Sequence, residues 1–131
     1  MGSDFTFYDY LDADTGGENI IHSFLNGQTK RVKAWANSMI RHLEASPLST
    51  WSEPYTKKLT GEWGGFFEIR KQGKNTRVRL VFKIEKRDVF LVATGFHRSK
   101  WEVSITPNQA MQRVRQMTEH PELYRRPHDH K

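Results

Sequence analysis

Cysteine is absent from the 131 residues, which excludes disulfides, thiolate metal sites and cysteine nucleophiles and accords with a cytoplasmic home. Long apolar runs are missing too: no stretch approaches the roughly 18 residues of a membrane span. The N-terminus lacks the basic-then-apolar pattern of a secretion signal, so the expected location is the cytoplasm. No internal repeat or low-complexity segment occurs. Basic residues are absent from the first 20 positions, which carry Asp4, Asp9, Asp12, Asp14 and Glu18.

All 21 basic residues therefore lie in the rest of the chain, against 10 acidic ones, and the formal net charge is +6. The segment from Lys57 to Lys100 is densest, with twelve basic and four acidic side chains. A patch of that kind concentrates polyanions, and nucleic acid is the first partner to consider, beside the plainer reading of a solvated surface. The length suits one domain, 1–131, with a core of its own.

Residues 4 to 10, "DFTFYDY", alternate aromatic with polar side chains and read as a strand, with Phe5, Phe7 and Asp9 facing one way and Thr6, Tyr8 and Tyr10 the other. "ENIIHSFLN", from Glu18 to Asn26, fits a short amphipathic helix stopped by Gly27. The clearest helix spans about Thr29 to Ala45, because Val32, Trp35, Ala36, Met39, Ile40 and Leu43 recur at helical spacing. That spacing leaves Lys30, Arg31, Lys33, Asn37, Ser38 and Arg41 mostly on its wet side. Residues 66 to 71, 77 to 84 and 89 to 96 read as three strands joined by short turns, hence antiparallel hairpins. "TPNQ" opens a last helix: Thr106 caps, Pro107 suits the first helical position and Gln109 completes a capping box. From about 121, "ELYRRPHDHK" reads as a flexible polar tail.

Period two sorts the strands. Val78, Leu80, Phe82 and Ile84 share a face with Phe67 and Ile69, forming a core against which amphipathic helices pack. Arg77, Arg79, Val81 and Lys83 turn the other way, as do Phe66, Glu68 and Arg70. A half-exposed sheet with charged outer positions would explain this pattern. So would a phosphate site, because the planar arginine fork grips phosphate oxygens in pairs.

After the third strand "FHRSK" adds His97, Arg98 and Lys100. Cleavage of RNA through its own 2′-hydroxyl needs a base, cations for the phosphorane and an acid for the leaving 5′-oxygen. Arg, Lys and His supply all three without metal or other cofactor, and His97 has the side chain suited to proton transfer near neutrality. The plainer reading of His97 is a partly exposed residue at a strand end.

A leucine leading to a glycine-flanked aromatic and "FFEIR", then "RLVF", a strand ending "TGFHRSK" and a helix opening "TPNQAMQR" together resemble the RelE/ParE superfamily of bacterial toxins. Within it, the chain is most similar to the phage-derived HigB-like branch. The segment from Lys58 to Val114 carries the motifs, and the helical segments from Glu18 to Leu43 extend the likeness. The resemblance implies an α+β fold, with N-terminal helices packed on one face of a small twisted antiparallel sheet and a C-terminal helix. It also implies the toxin of a type II toxin–antitoxin system, cleaving mRNA in the ribosomal A site. A helix-turn-helix antitoxin would silence it, a heterotetramer being one assembly of the pair. Carried across by motif, Arg70 stands at the arginine of the family's "ElR" strand and Arg79 at the arginine before its next strand core. Arg98 stands at the first basic residue after the "GF" turn. The second basic position is Ser99, with Lys100 one place later, and no tyrosine follows this turn where some relatives carry one.

The site expected on these grounds has Arg70, Arg79 and Arg98 on the scissile phosphate and His97 or Lys100 in proton transfer. Lys57, Lys58, Arg77 and Lys83 would contact RNA backbone, and Trp63 and Trp101 either stack on bases or pack. Two alternatives stand beside it: a ParE-like toxin that binds DNA gyrase without catalysis, and a nucleic-acid-binding module without turnover. His128 and His130 have His-x-His spacing, which suits a metal or a solvated tail, and Glu62, Glu68 and Glu102 match no defensible Mg²⁺ spacing.

Overall fold

The computed structural model describes residues 5–52, 56–71, 78–97 and 101–130, apart from the side chains of Lys71, His97 and Trp101. β1 (Thr6–Asp12) and a short β2 (Glu18–Asn19) precede two helices, α1 (Ile20–Asn26) and α2 (Lys30–Glu44). Then come β3 (Thr56–Lys58), β4 (Phe67–Lys71), β5 (Val78–Glu85), β6 (Asp88–His97) and β7 (Trp101–Val103). α3 (Pro107–Glu119), α4 (Pro121–Tyr124) and β8 (Arg125–Pro127) complete the chain. The class is α+β. Among the described residues no helix is long and apolar enough to cross a membrane.

Caps set the helix limits. Asn19, Thr29 and Thr106 each accept a first-turn N–H, from His22, Val32 and Gln109, relieving donors that a helix leaves unbonded. The Thr106 capping box is complete, and α3 starts where the sequence expects. Glu18 and Asn19 form a bridge to β1 in place of the expected first helical turn, because Asn19 serves as the cap of α1.

The sheet runs β2-β1-β6-β5-β4-β3, with β7 beside β6 and β8 beside β1. β4 to β6 form the expected antiparallel meander and β3, not expected as a strand, adds an edge to it, but β1 runs parallel to β6, pairing Thr6–Asp9 with residues 88–91. The sheet is thus mixed, which corrects the antiparallel expectation. The physical reason is the connection: two helices intervene after β1, so its return need not be a hairpin, and β5 already holds the other edge of β6.

Both faces are covered. α1 and α2 pack Ile21, Leu25, Ala36, Ile40 and Leu43 on Phe7, Ile69, Leu80, Phe82 and Leu91. α3 sets Ala110, Val114 and Met117 against Val81, Phe90, Val92 and Ala93 on the reverse face. Among the described residues, the cation-bearing face is open towards β3 and β4. Arg113 and Tyr10 tie α3 to β1: the guanidinium lies 4.6 Å from the ring centroid and donates to the Val92 carbonyl at 2.7 Å, while the Tyr10 hydroxyl donates to Gln116 at 2.7 Å. Burial pushes the Tyr10 hydroxyl above its ordinary value, and burial likewise lowers Arg113.

The segment expected to be a flexible tail is docked. β8 pairs antiparallel with Tyr8–Tyr10, and the His128 N–H donates to the Phe7 carbonyl at 2.8 Å. Its ring sits between Asp9 Oδ1, 2.7 Å from Nδ1, and Asn37 Oδ1, 2.8 Å from Nε2, while Asn19 donates to the second Asp9 oxygen at 2.9 Å. An unpaired β1 edge and a buried Asp9 carboxylate both need partners, and the polar C-terminal residues supply them. Asn37, expected on the wet side of α2, is buried by this contact.

Candidate nucleic-acid interface

Strand register assembles the cationic pocket. Arg70 stands opposite Arg79 across β4 and β5, and one row along, Lys57 stands opposite Glu68 across β3 and β4. Alternation turns all four to the same face. They line a cavity of ≈ 230 Å³ whose remaining wall comes from Leu59, Thr60 and Trp63. That wall is the connection between β3 and β4, folded back by Gly61 and Gly65 at φ of 65° and 92° and fastened by the Leu59 N–H on the Phe66 carbonyl at 2.9 Å. Trp63 meets Phe66 edge-on, with centroids 5.5 Å apart, so part of its ring is packing.

Two arginines directly opposite each other repel. Glu68 offsets this: its Oε1 lies 3.4 Å from Arg79 Nη1, and both side chains are only 2% exposed. Among the described residues, three cations and one carboxylate line the pocket and leave it net positive, with Arg70 half-buried and Lys57 exposed at its mouth. Such a pocket can hold a phosphate through Arg70 and Lys57. Arg79, expected to touch the phosphate, sits behind them, aligned by Glu68.

Arg70, Arg79 and Lys57 are therefore brought together. Lys58 is not, because it pairs with Phe67 and alternation turns it to the other face. Lys83 lies further along β5 and pairs with Glu85 at 3.0 Å. Arg77, Arg98, Lys100 and the His97 side chain lie outside the described residues, as does that of Trp101; His97 ends β6, where its backbone pairs with Trp101. Glu68 was missed as a site residue, although its position two before Arg70 carried the signal. The Asp9–His128–Asn37 cluster was missed as well, and no local pattern announces it. Both ring nitrogens of His128 are engaged there, which overturns the solvated reading of this histidine.

Gly95, opposite Arg79, has a packing role: a Cβ there would overlap the Glu102 carbonyl oxygen of β7. β7 is thus held close over the end of β6 that leads into "FHRSK". No family model, curated protein or solved structure matches this chain, so its functional reading rests on the residues themselves.

Proposed function

We propose that the chain is the toxin of a type II toxin–antitoxin system, with a RelE/HigB-like arrangement, acting in the cytoplasm as a ribosome-dependent mRNA endonuclease. One observation carries the reading: Arg70 and Arg79 stand opposite each other and share a pocket with Lys57. Arg70 and Lys57 hold the non-bridging oxygens of the scissile phosphate, and Glu68 fixes Arg79 behind them as a positioning residue. The 2′-hydroxyl loses its proton to His97 or Lys100, its oxygen bonds to phosphorus, and the bond to the 5′-oxygen breaks as that oxygen takes a proton. The products are a 2′,3′-cyclic phosphate and a 5′-hydroxyl, with no metal required. Arg98 adds charge to the phosphorane, and a helix-turn-helix antitoxin blocks the site.

A nucleic-acid-binding module without turnover is the second reading, favoured by the burial of Arg79 against Glu68, which leaves two cations at the mouth. Primer extension on translated mRNA after induction in bacteria separates the two. Wild type cuts within translated codons, and Arg70→Ala lowers the cutting about 100-fold or more, the cost of losing one donor to a developing oxyanion. Arg70 is the better target, because removing Arg79 strands a buried carboxylate and perturbs the fold. Intact message in growth-arrested cells, or unchanged cutting by Arg70→Ala, overturns the endonuclease.

A further inference from the structure

A second cationic concavity lies away from this pocket, between α2 and the C-terminal segment. Lys30, Lys33, Asn37 and Arg41 follow helical spacing along one face of α2, and His130 forms the facing wall of a cleft of ≈ 330 Å³. Among the described residues no carboxylate lines it. Glu44, which holds His130, has both oxygens engaged: Oε2 accepts from the Phe7 N–H at 3.2 Å, and Oε1 lies 2.7 Å from His130 Nε2.

Three features make this a built cleft. Its far wall is anchored by the buried clamp of His128 between Asp9 and Asn37, and His130 Nε2 lies close to Glu44 Oε1. Asn37 commits its oxygen to His128, so the N–H edge is the polar part of its amide left to a ligand. Lys30 and Lys33 occupy the first turn of α2, which holds no acidic residue. Cations there oppose the positive end of the helix dipole, an arrangement that a bound anion relieves.

We infer that this cleft is a second phosphate site, taking a phosphodiester of an RNA backbone at a distance from the Arg70 pocket. The functional proposal supplies only the choice of RNA as polyanion; binding here requires no cleavage. Extended RNA is thereby held at two points, which fixes the path of the strand relative to the pocket without reading its sequence.

The test is fluorescence anisotropy with a short labelled oligouridylate across a salt series. Lys30→Gln with Arg41→Gln is compared with Arg31→Gln with Arg115→Gln, positions outside the cleft lining that remove the same charge elsewhere. The cleft pair is expected to flatten the dependence of log affinity on log salt by about 0.7, the change for the one phosphate the cleft no longer neutralises on a single strand. The control pair is expected to keep the wild-type slope, and superimposable melting curves verify the folds. Equal changes in the two double variants, or no change in the cleft pair, overturn the inference. A wild type that binds with the steep slope yet never cuts mRNA would sink the endonuclease and leave the cleft standing; one that cuts mRNA while the cleft pair keeps the full slope would do the reverse.

Discussion

Replacing His128 with alanine tests how the C-terminal segment is held. Asp9 is fully buried in β1, between β6 and β8, with Oδ1 on His128 at 2.7 Å and Oδ2 on Asn19 at 2.9 Å. Without the imidazole the carboxylate keeps Asn19 as its remaining side-chain donor in this cluster, and Asn37 loses its hydrogen-bond partner. Removing the partner of a buried carboxylate leaves its charge uncompensated, at a cost of about 3–5 kcal/mol. With an unfolding entropy of about 2.1 cal/mol/K per residue, that loss lowers the melting temperature by roughly 10–20 °C. Urea unfolding followed by circular dichroism should show a lower midpoint with an unchanged m-value, because the same surface is exposed on unfolding. Adding Asp9→Asn should recover part of the loss, since the stranded charge is then gone. A His128→Ala protein within about 0.5 kcal/mol of wild type, the range of ordinary surface changes, would refute the reasoning and restore the solvated tail.

Gly95→Ala should destabilise by about 1–3 kcal/mol, because the new methyl overlaps the Glu102 carbonyl and β7 must shift; a thermal melt equal to wild type would disprove that close approach. Burial holds the Tyr10 hydroxyl above the ordinary tyrosine value of 10.0, so its neutral form stabilises the fold below that pH, and the contribution is lost as pH rises through the folded value. The fall in urea midpoint across that alkaline range should accordingly be smaller for Tyr10→Phe than for wild type, and an equal fall would show that Tyr10 plays no part.

Much of the meander and of the main helices was legible because their rules are local. Period two put Arg70 and Arg79 on one face, helical spacing gave α2 and α3, and Thr106 with Gln109 marked the start of α3. The strand boundaries of β4, β5 and β6 fall within a residue of those read from the sequence. Where the reading failed, the deciding partner was remote. Asn37 looked like a wet-side residue until a histidine 91 positions later docked on it, and Asp9 found its partner 119 positions away.

The candidate site divides in the same way. Side-chain direction along a strand follows from backbone pleat, so the sequence determined that the arginines share a face. Which cations meet a ligand depends on what lies across and above that face, and only tertiary structure decided it. Strand register buried Arg79 against Glu68 and brought Lys57 alongside Arg70, while α3 closed the rest of the face. The same holds for the cleft: the sequence set its cations along α2, and the docking of β8, driven by an open strand edge and a buried carboxylate, supplied the opposing wall.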